Sequence, residues 1–181
     1  SLPLSQLSQI LWSAQGITGT GKLRAAPSAG ATYPLEIFAV IGKQAVIVIA
    51  SEAKQSLDRE ELPPGIYHYE VDSHSITLHR PGDLRLDLAR AALDQGFIAG
   101  APVDIVICAL YTRTSYTYGR RGERYVHMEV GHVGENIHLQ SVALGLATVE
   151  LGAFGDEEVR KVLRVEEQIK PLYIMPIGKP V

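Results

Sequence analysis

The sequence predicts an α+β fold, and three observations carry that expectation. Helix-like and strand-like stretches interleave without the regular βαβ beat of a doubly wound sheet. Val103 to Leu110, entered through Pro102, is an unbroken apolar run of the kind that forms a strand buried on both faces. The longest helical pattern, Arg124 to Gly145, places Val126, Val130, Val133, Ile137 and Leu144 at helical spacing.

The remaining elements follow in chain order. Leu4 to Ala14 carries Leu7, Ile10, Leu11 and Ala14 on one helical face, with Ser5 as expected N-cap and Gly16 as expected C-terminal stop. Trp12 falls on or beside that face and suits core or interface packing. Gly16 to Tyr33 is rich in glycine and small residues, so it reads as a loop that works through its backbone. Ile37 to Ile41 reads as a buried strand. Gly65 to Tyr69 and Ser75 to His79 read as a hairpin turning at Asp72-Ser73. Between them, residues 43–64 read as an exposed insertion. Val46 to Ile49 is strand-like there, whereas Ser51 to Leu62 is polar and unpatterned. A helix is expected over Leu84 to Leu93 behind Asp83, a strand over Ala147 to Leu151, a helix over Asp156 to Leu163 with Asp156 as its cap, and a last strand over Leu172 to Ile177.

Composition excludes several classes. The 181 residues fit one domain with a proper core, 46% apolar and 20% charged, in the range of soluble globular proteins. A net charge of −3 offers no basic face for nucleic acid or an anionic membrane. No apolar run reaches the ~18 residues a membrane helix needs, and Ser1-Leu2-Pro3-Leu4 lacks a signal-peptide layout, so a cytoplasmic location is expected. The single cysteine, Cys108, sits in the apolar run and reads as a core thiol.

Familiar catalytic signatures are weak or missing. Gly16, Gly19 and Gly21 stand in the wrong order for a dinucleotide fingerprint, and no P-loop occurs. Ser28 is not in a G-x-S-x-G elbow. Glu129-x-x-His132 and Glu135-x-x-His138 have the spacing of di-iron ligands, but such sites draw one pair from each of two helices. Two pairs on one helix sweep about half its circumference and cannot converge. They are expected to be solvated or interface residues, and no metal is expected. The stretch from Tyr111 to Tyr125 holds four tyrosines and four arginines, suited to stacking on a planar ligand or holding anions, or else to a polar loop at a subunit interface.

Three segments together resemble the nitroreductase-like family, and within it the thiazole/oxazole peptide dehydrogenase branch. The first runs from Arg24 through Pro27, Ser28, Ala29, Gly30, Tyr33 and Pro34. The second runs from Tyr118 through Arg124 and Tyr125 into Glu129, Gly131, His132 and Asn136. The third joins Leu151, Gly152, Ala153 and Phe154 to Leu172, Pro176, Gly178, Lys179 and Pro180. The match in order and spacing covers nearly the whole chain.

The resemblance implies a central, mostly antiparallel sheet flanked by helices, with a long helix at the interface of a homodimer. It further implies FMN in each interface pocket and a ping-pong oxidoreductase working between NAD(P)H, or an organic or peptide substrate, and a second acceptor. The expected cofactor-binding residues are Arg24, Pro27, Ser28, Ala29, Gly30, Leu151, Gly152, Ala153 and Lys179. Small residues let backbone approach the ring, Leu151 to Ala153 offer N–H groups, and Arg24 and Lys179 offer charge to the phosphate. Tyr118 is the expected acid/base residue. Two departures qualify this picture. The family's opening Arg-Arg-Ser-x-Arg segment has no counterpart, because the chain starts just past its place. Thr117 also stands where the peptide dehydrogenases have a lysine before their tyrosine, which weakens an azoline-oxidising role. The alternative from another class is a non-catalytic flavin-fold module without the phosphate clamp.

Overall fold

A computed structural model describes residues 1–43, 45–48 and 60–180. Strand β7 (Val103–Leu110) is an interior strand of the main sheet, one in from an edge and buried as its apolar run predicts. Along β7 the side chains alternate between two cores, as a strand covered on both faces requires. Val103, Ile105, Ile107 and Ala109 pack on one side, and Val106 and Cys108 on the other. The five strands stand in the order β6 (Ser75–Pro81), β5 (Gly65–Glu70), β2 (Leu35–Ile41), β7 and β8 (Ile169–Ile177), with every neighbouring pair antiparallel. The expected hairpin is β5–β6, and the last strand starts three residues earlier than its sequence pattern.

Helices α1 (Leu4–Gln15) and α5 (Arg121–Ala143) cover one face. Helices α2 (Arg85–Ala91), α3 (Gly96–Gly100) and α6 (Asp156–Leu163) belong to the other. The α5 stripe is as expected: Val126, Val130, Val133 and Ile137 are buried. Asn136 Nδ2 donates to Ser13 O (3.1 Å), tying α5 to α1. A second, small sheet pairs β1 (Leu2–Pro3) in parallel with β3 (Val46–Val48), which pairs antiparallel with β4 (Glu60–Glu61). Within the expected insertion, Ala45 is buried, and residues 44 and 49–59 lie outside the described residues.

Several local expectations are corrected. Ser5 lies inside the first turn of α1, with Pro3 at the cap. Gly16 has extended backbone (φ −59°), not a left-handed stop, and its missing Cβ makes room for the Trp12 ring. Gly155 takes the cap of α6, while Asp156, Glu157 and Glu158 fill its first turn, where the helix dipole favours them. Ala147 to Leu151 is not a strand. It touches β8 through two isolated bridges, Ala147 to Gly178 and Leu151 to Ile174. The polar stretch after Tyr111 is a helix, α4 (Thr112–Tyr118), stopped by Gly119 at φ 55°. Burial pushes the Cys108 thiol up, which keeps it inert in the core.

Candidate functional site

The loop from Arg24 to Tyr33 enters β2 at the end of the sheet marked by Leu110, whose N–H donates to Pro34 O (2.8 Å). Gly30 (φ 59°), Ala31 (φ 51°) and Tyr33 (φ 44°) all have left-handed backbone. Two non-glycine residues held there cost of order 1 kcal/mol each, and such strain gathers at functional sites. Helix α4 holds the loop in this shape. Thr32 Oγ1 donates to Ala29 O (3.0 Å) and accepts from Thr114 Oγ1 (2.8 Å). Arg113 Nη1 donates to Tyr33 O (3.0 Å).

Tyr118, the expected acid/base residue, closes over this loop. A Cβ on Gly30 would lie 2.6 Å from the Tyr118 hydroxyl, so only glycine lets the phenol come so near. Tyr125 meets the Tyr118 ring edge-on at 5.1 Å. Ser28, Ala29, Gly30 and Tyr118 are therefore brought together, with Pro27 and Gly30 exposed.

Arg24 faces inward. Its guanidinium stacks 4.2 Å above the Tyr33 ring, and Nη1 donates to Gln15 Oε1 (2.9 Å). Burial lowers its basicity, countered by Tyr33 and Glu129. Glu129 corrects the expectation of a solvated helix face, being only 3% exposed. Burial pushes its carboxyl up to about 7, against the opposing pull of Ser28, Gln15 and Arg24. His138, from the other E-x-x-H pair, meets Glu150 at 3.1 Å instead. Among the described residues no cluster could hold a metal ion.

The other expected contacts lie elsewhere. Lys179 follows β8 at the end of the sheet marked by Val103, the register partner of Ile177. It is exposed at the rim of a cleft of about 570 Å³, lined also by Leu2, Phe97, Gly100, Thr148 and Gly178. Thr148 Oγ1 is buried there with no hydrogen-bond partner among the described residues. Three residues on, Leu151 donates its N–H to Ile174 O (2.9 Å), which commits that group to the fold. Gly152 and Ala153 are exposed beside it. The seven-residue climb of β7 from Val103 to Leu110 spans roughly 23 Å. In one chain the Lys179 cleft and the Ser28–Gly30 loop therefore stand at opposite ends of the sheet.

Sequence reasoning missed Glu129, Gln15, Thr148 and Phe97. Glu129 was readable: three residues after Val126 and four before Val133, it falls on the buried stripe. Nothing local marks the other three.

Comparison with known proteins agrees with this architecture. The model of the nitroreductase family matches residues 1–179, and the chain belongs to that family of oxidoreductases. A protein named as a nitroreductase, MJ1384 of Methanocaldococcus jannaschii, is 43% identical over 180 residues, 99% of this chain and 82% of its own length. A crystal structure described as a nitroreductase, from Anabaena variabilis, superposes with a TM-score of 0.81 at 26% identity, covering 97% of this chain and 34% of that one. The E. coli microcin synthetase McbBCD complex, with truncated pro-MccB17 bound, shares the fold (TM-score 0.79, 22% identity, 100% of this chain and 65% of that one). The chain thus spans most of the Methanocaldococcus protein but only about a third of the Anabaena chain.

Proposed function

We propose that the chain is an FMN-dependent oxidoreductase that works as a homodimer, with the cofactor held between two copies. The observation that carries this reading is the separation of the two half-sites. A twofold partner would bring the loop of one copy to the cleft of the other. The residues fit the group. Gly30 offers bare, exposed backbone to a flat ring, and Gly152 and Ala153, just past the Leu151–Ile174 bridge, are exposed as well. Lys179 supplies positive charge for a phosphate, and Thr148 supplies a buried hydroxyl that is unpaired among the described residues.

When bound, FMN supplies two-electron, hydride-type transfer between NAD(P)H or an organic donor and a second acceptor. The chain does the rest. The backbone N–H groups of Gly152 and Ala153 would be the donors that hold the polar edge of the ring and favour negative charge there. Tyr118, fixed over Gly30 by Tyr125 and α4, holds the proton nearest the second substrate. Arg24 acts through Gln15 and Tyr33 to keep the loop in shape. A peptide-azoline dehydrogenase, the other activity that the sequence resemblance implies, is the second reading; the McbBCD microcin synthetase complex, with truncated pro-MccB17 bound, shares the fold, but Thr117, in place of a lysine beside Tyr118, weighs against it.

Titration with FMN, followed by quenching of flavin fluorescence, tests the reading. Saturable binding at one FMN per chain, with bleaching by NAD(P)H and recovery on adding a quinone or nitroaromatic, is the expected result. Bleaching by an azoline peptide but not by NAD(P)H would transfer the claim to the second reading. A protein that never binds FMN is a non-catalytic member of the family.

A further inference from the structure

A chain of ion pairs leads from the close of the Ser28–Gly30 loop round the Leu110 end of the sheet to the sheet's other face. The loop belongs with α1 and α5, since Ala26 packs in their core. Glu36 belongs to the opposite face, because it alternates with Leu35 and Ile37 and shares its side of β2 with Phe38 and Val40. Arg113, on α4, joins the two. Its Nη1 donates to Tyr33 O at 3.0 Å, and its Nη2 lies 2.5 Å from Glu36 Oε1. The second oxygen of Glu36 meets His68 Nε2 at 2.7 Å, and His68 Nδ1 meets Glu70 Oε1 at 2.9 Å. The His68 ring packs on Phe38, with 5.0 Å between centroids.

Each link answers a need of the one before it. Tyr33 has left-handed backbone (φ 44°), so its carbonyl keeps its direction only where something holds it. A guanidinium presents several donors at fixed angles, and here one serves Tyr33 while another serves Glu36. The Arg113 side chain is 41% exposed, and Glu36, 17% exposed, is its anchor. Burial works against the charge on Glu36, but His68 and Arg113 outweigh it and keep the carboxyl below its ordinary range. His68 has a carboxylate at each ring nitrogen, and only the imidazolium has an N–H for both. The hydrogen bond to Glu36 raises its basicity accordingly.

We propose that Arg113 and Glu36 are positioning residues for the cofactor, which set the shape of its loop from the far face of the sheet. His68 fixes Glu36, Glu36 fixes the guanidinium, and the guanidinium aims the Tyr33 carbonyl and with it the turn through Gly30. None of the three touches the reacting atoms, and no bond is made or broken. The proposal rests on the reading of this loop as part of an FMN site.

The test is the Kd of FMN in Arg113→Lys, Arg113→Gln, Glu36→Gln and the double variant Arg113→Gln with Glu36→Gln. Hydrogen exchange of the Ala31, Thr32 and Tyr33 amides in the unliganded proteins gives a readout independent of activity. Arg113 is half-exposed, so its replacement leaves the core closed. Loss of the clamp should raise Kd about tenfold and speed exchange at those three amides. Lysine keeps the charge but lacks the fork, so Arg113→Lys should bind no better than Arg113→Gln. Because the two residues act in series, the double variant should bind no worse than Arg113→Gln alone. A lower melting midpoint with Kd and loop exchange unchanged would reveal a merely structural role and overturn the proposal. Full rescue by lysine, or two losses that add in the double variant, would overturn it as well. In each of those cases the wild type still binds FMN and the cofactor reading stands, whereas a wild type that never binds FMN overturns both.

Discussion

Gly30 is the residue on which the loop turns, because its backbone is left-handed and the Tyr118 hydroxyl occupies the place of its absent Cβ. Gly30→Ala must strain the backbone by about 1 kcal/mol and push the phenol away. The expected outcome is a modest fall in thermal midpoint and a roughly tenfold loss of FMN affinity, read by melting and by fluorescence titration. An unchanged Kd would mean the loop does not meet the cofactor. Asp83 and Arg85 make a different kind of residue-scale claim. Arg85 Nη2 lies 2.7 Å from Asp83 Oδ2, and the hydrogen bond, with help from the Lys43 and Arg85 N–H groups, holds the Asp83 carboxyl down at about 2. A carboxyl depressed in the folded state adds stability above its unfolded value near 4, and that stability is lost as pH falls toward 2. Asp83→Asn should therefore cost on the order of 2 kcal/mol at pH 7 and very little near pH 2. Urea unfolding at both values checks it, and an equal cost at each would contradict the ion-pair account.

Among the elements, α4 and α5 fix where Tyr118 stands, and Gly122 sets how closely they meet. A Cβ at Gly122 would lie 2.7 Å from Ser115 Cα and 2.8 Å from Ser115 N, backbone atoms that cannot swing aside. Gly122→Ala is expected to cost about 2 kcal/mol by overpacking and to displace Tyr118. Calorimetry, together with the FMN titration, should show both losses. An unaltered melting midpoint would refute the packing argument.

The elements also show what the sequence made legible. Strands β2 and β7, the β5–β6 hairpin and helix α5 were readable because apolar period and length agree there. Helix α4 was not, because Thr, Ser and Tyr are indifferent helix formers and its support comes from Thr32, Tyr33 and α5. The parallel pairing of Leu2 with Val46 is a contact between distant residues that no local pattern encodes. At the site, Ser28, Gly30 and Tyr118 could be named from the resemblance. Glu129 stands at a stripe position in the sequence, but its spacing to His132 obscures it. Nor could the sequence show that Arg24 turns inward or that Leu151 gives its N–H to β8.

For the whole molecule, the central claim is that one chain carries two halves of two different sites. Trp12 (40% exposed) on α1, and Met128 (46%), Leu139 (59%) and Val142 (60%) on α5, offer the apolar surface that a stable partner would cover. Sedimentation should report a dimer at micromolar concentration, and Leu139→Asp with Val142→Asp should give a monomer that has also lost FMN. The most direct measurement is complementation. Gly30→Val disables the loop half and Lys179→Glu the cleft half, so each variant alone should bind little FMN. After the two are mixed and allowed to exchange subunits, half of the dimers are hybrids, and each hybrid has one intact site. The mixture should recover about a quarter of the wild-type FMN capacity. A mixture that binds no more than its separate components would contradict a cofactor site shared between two copies.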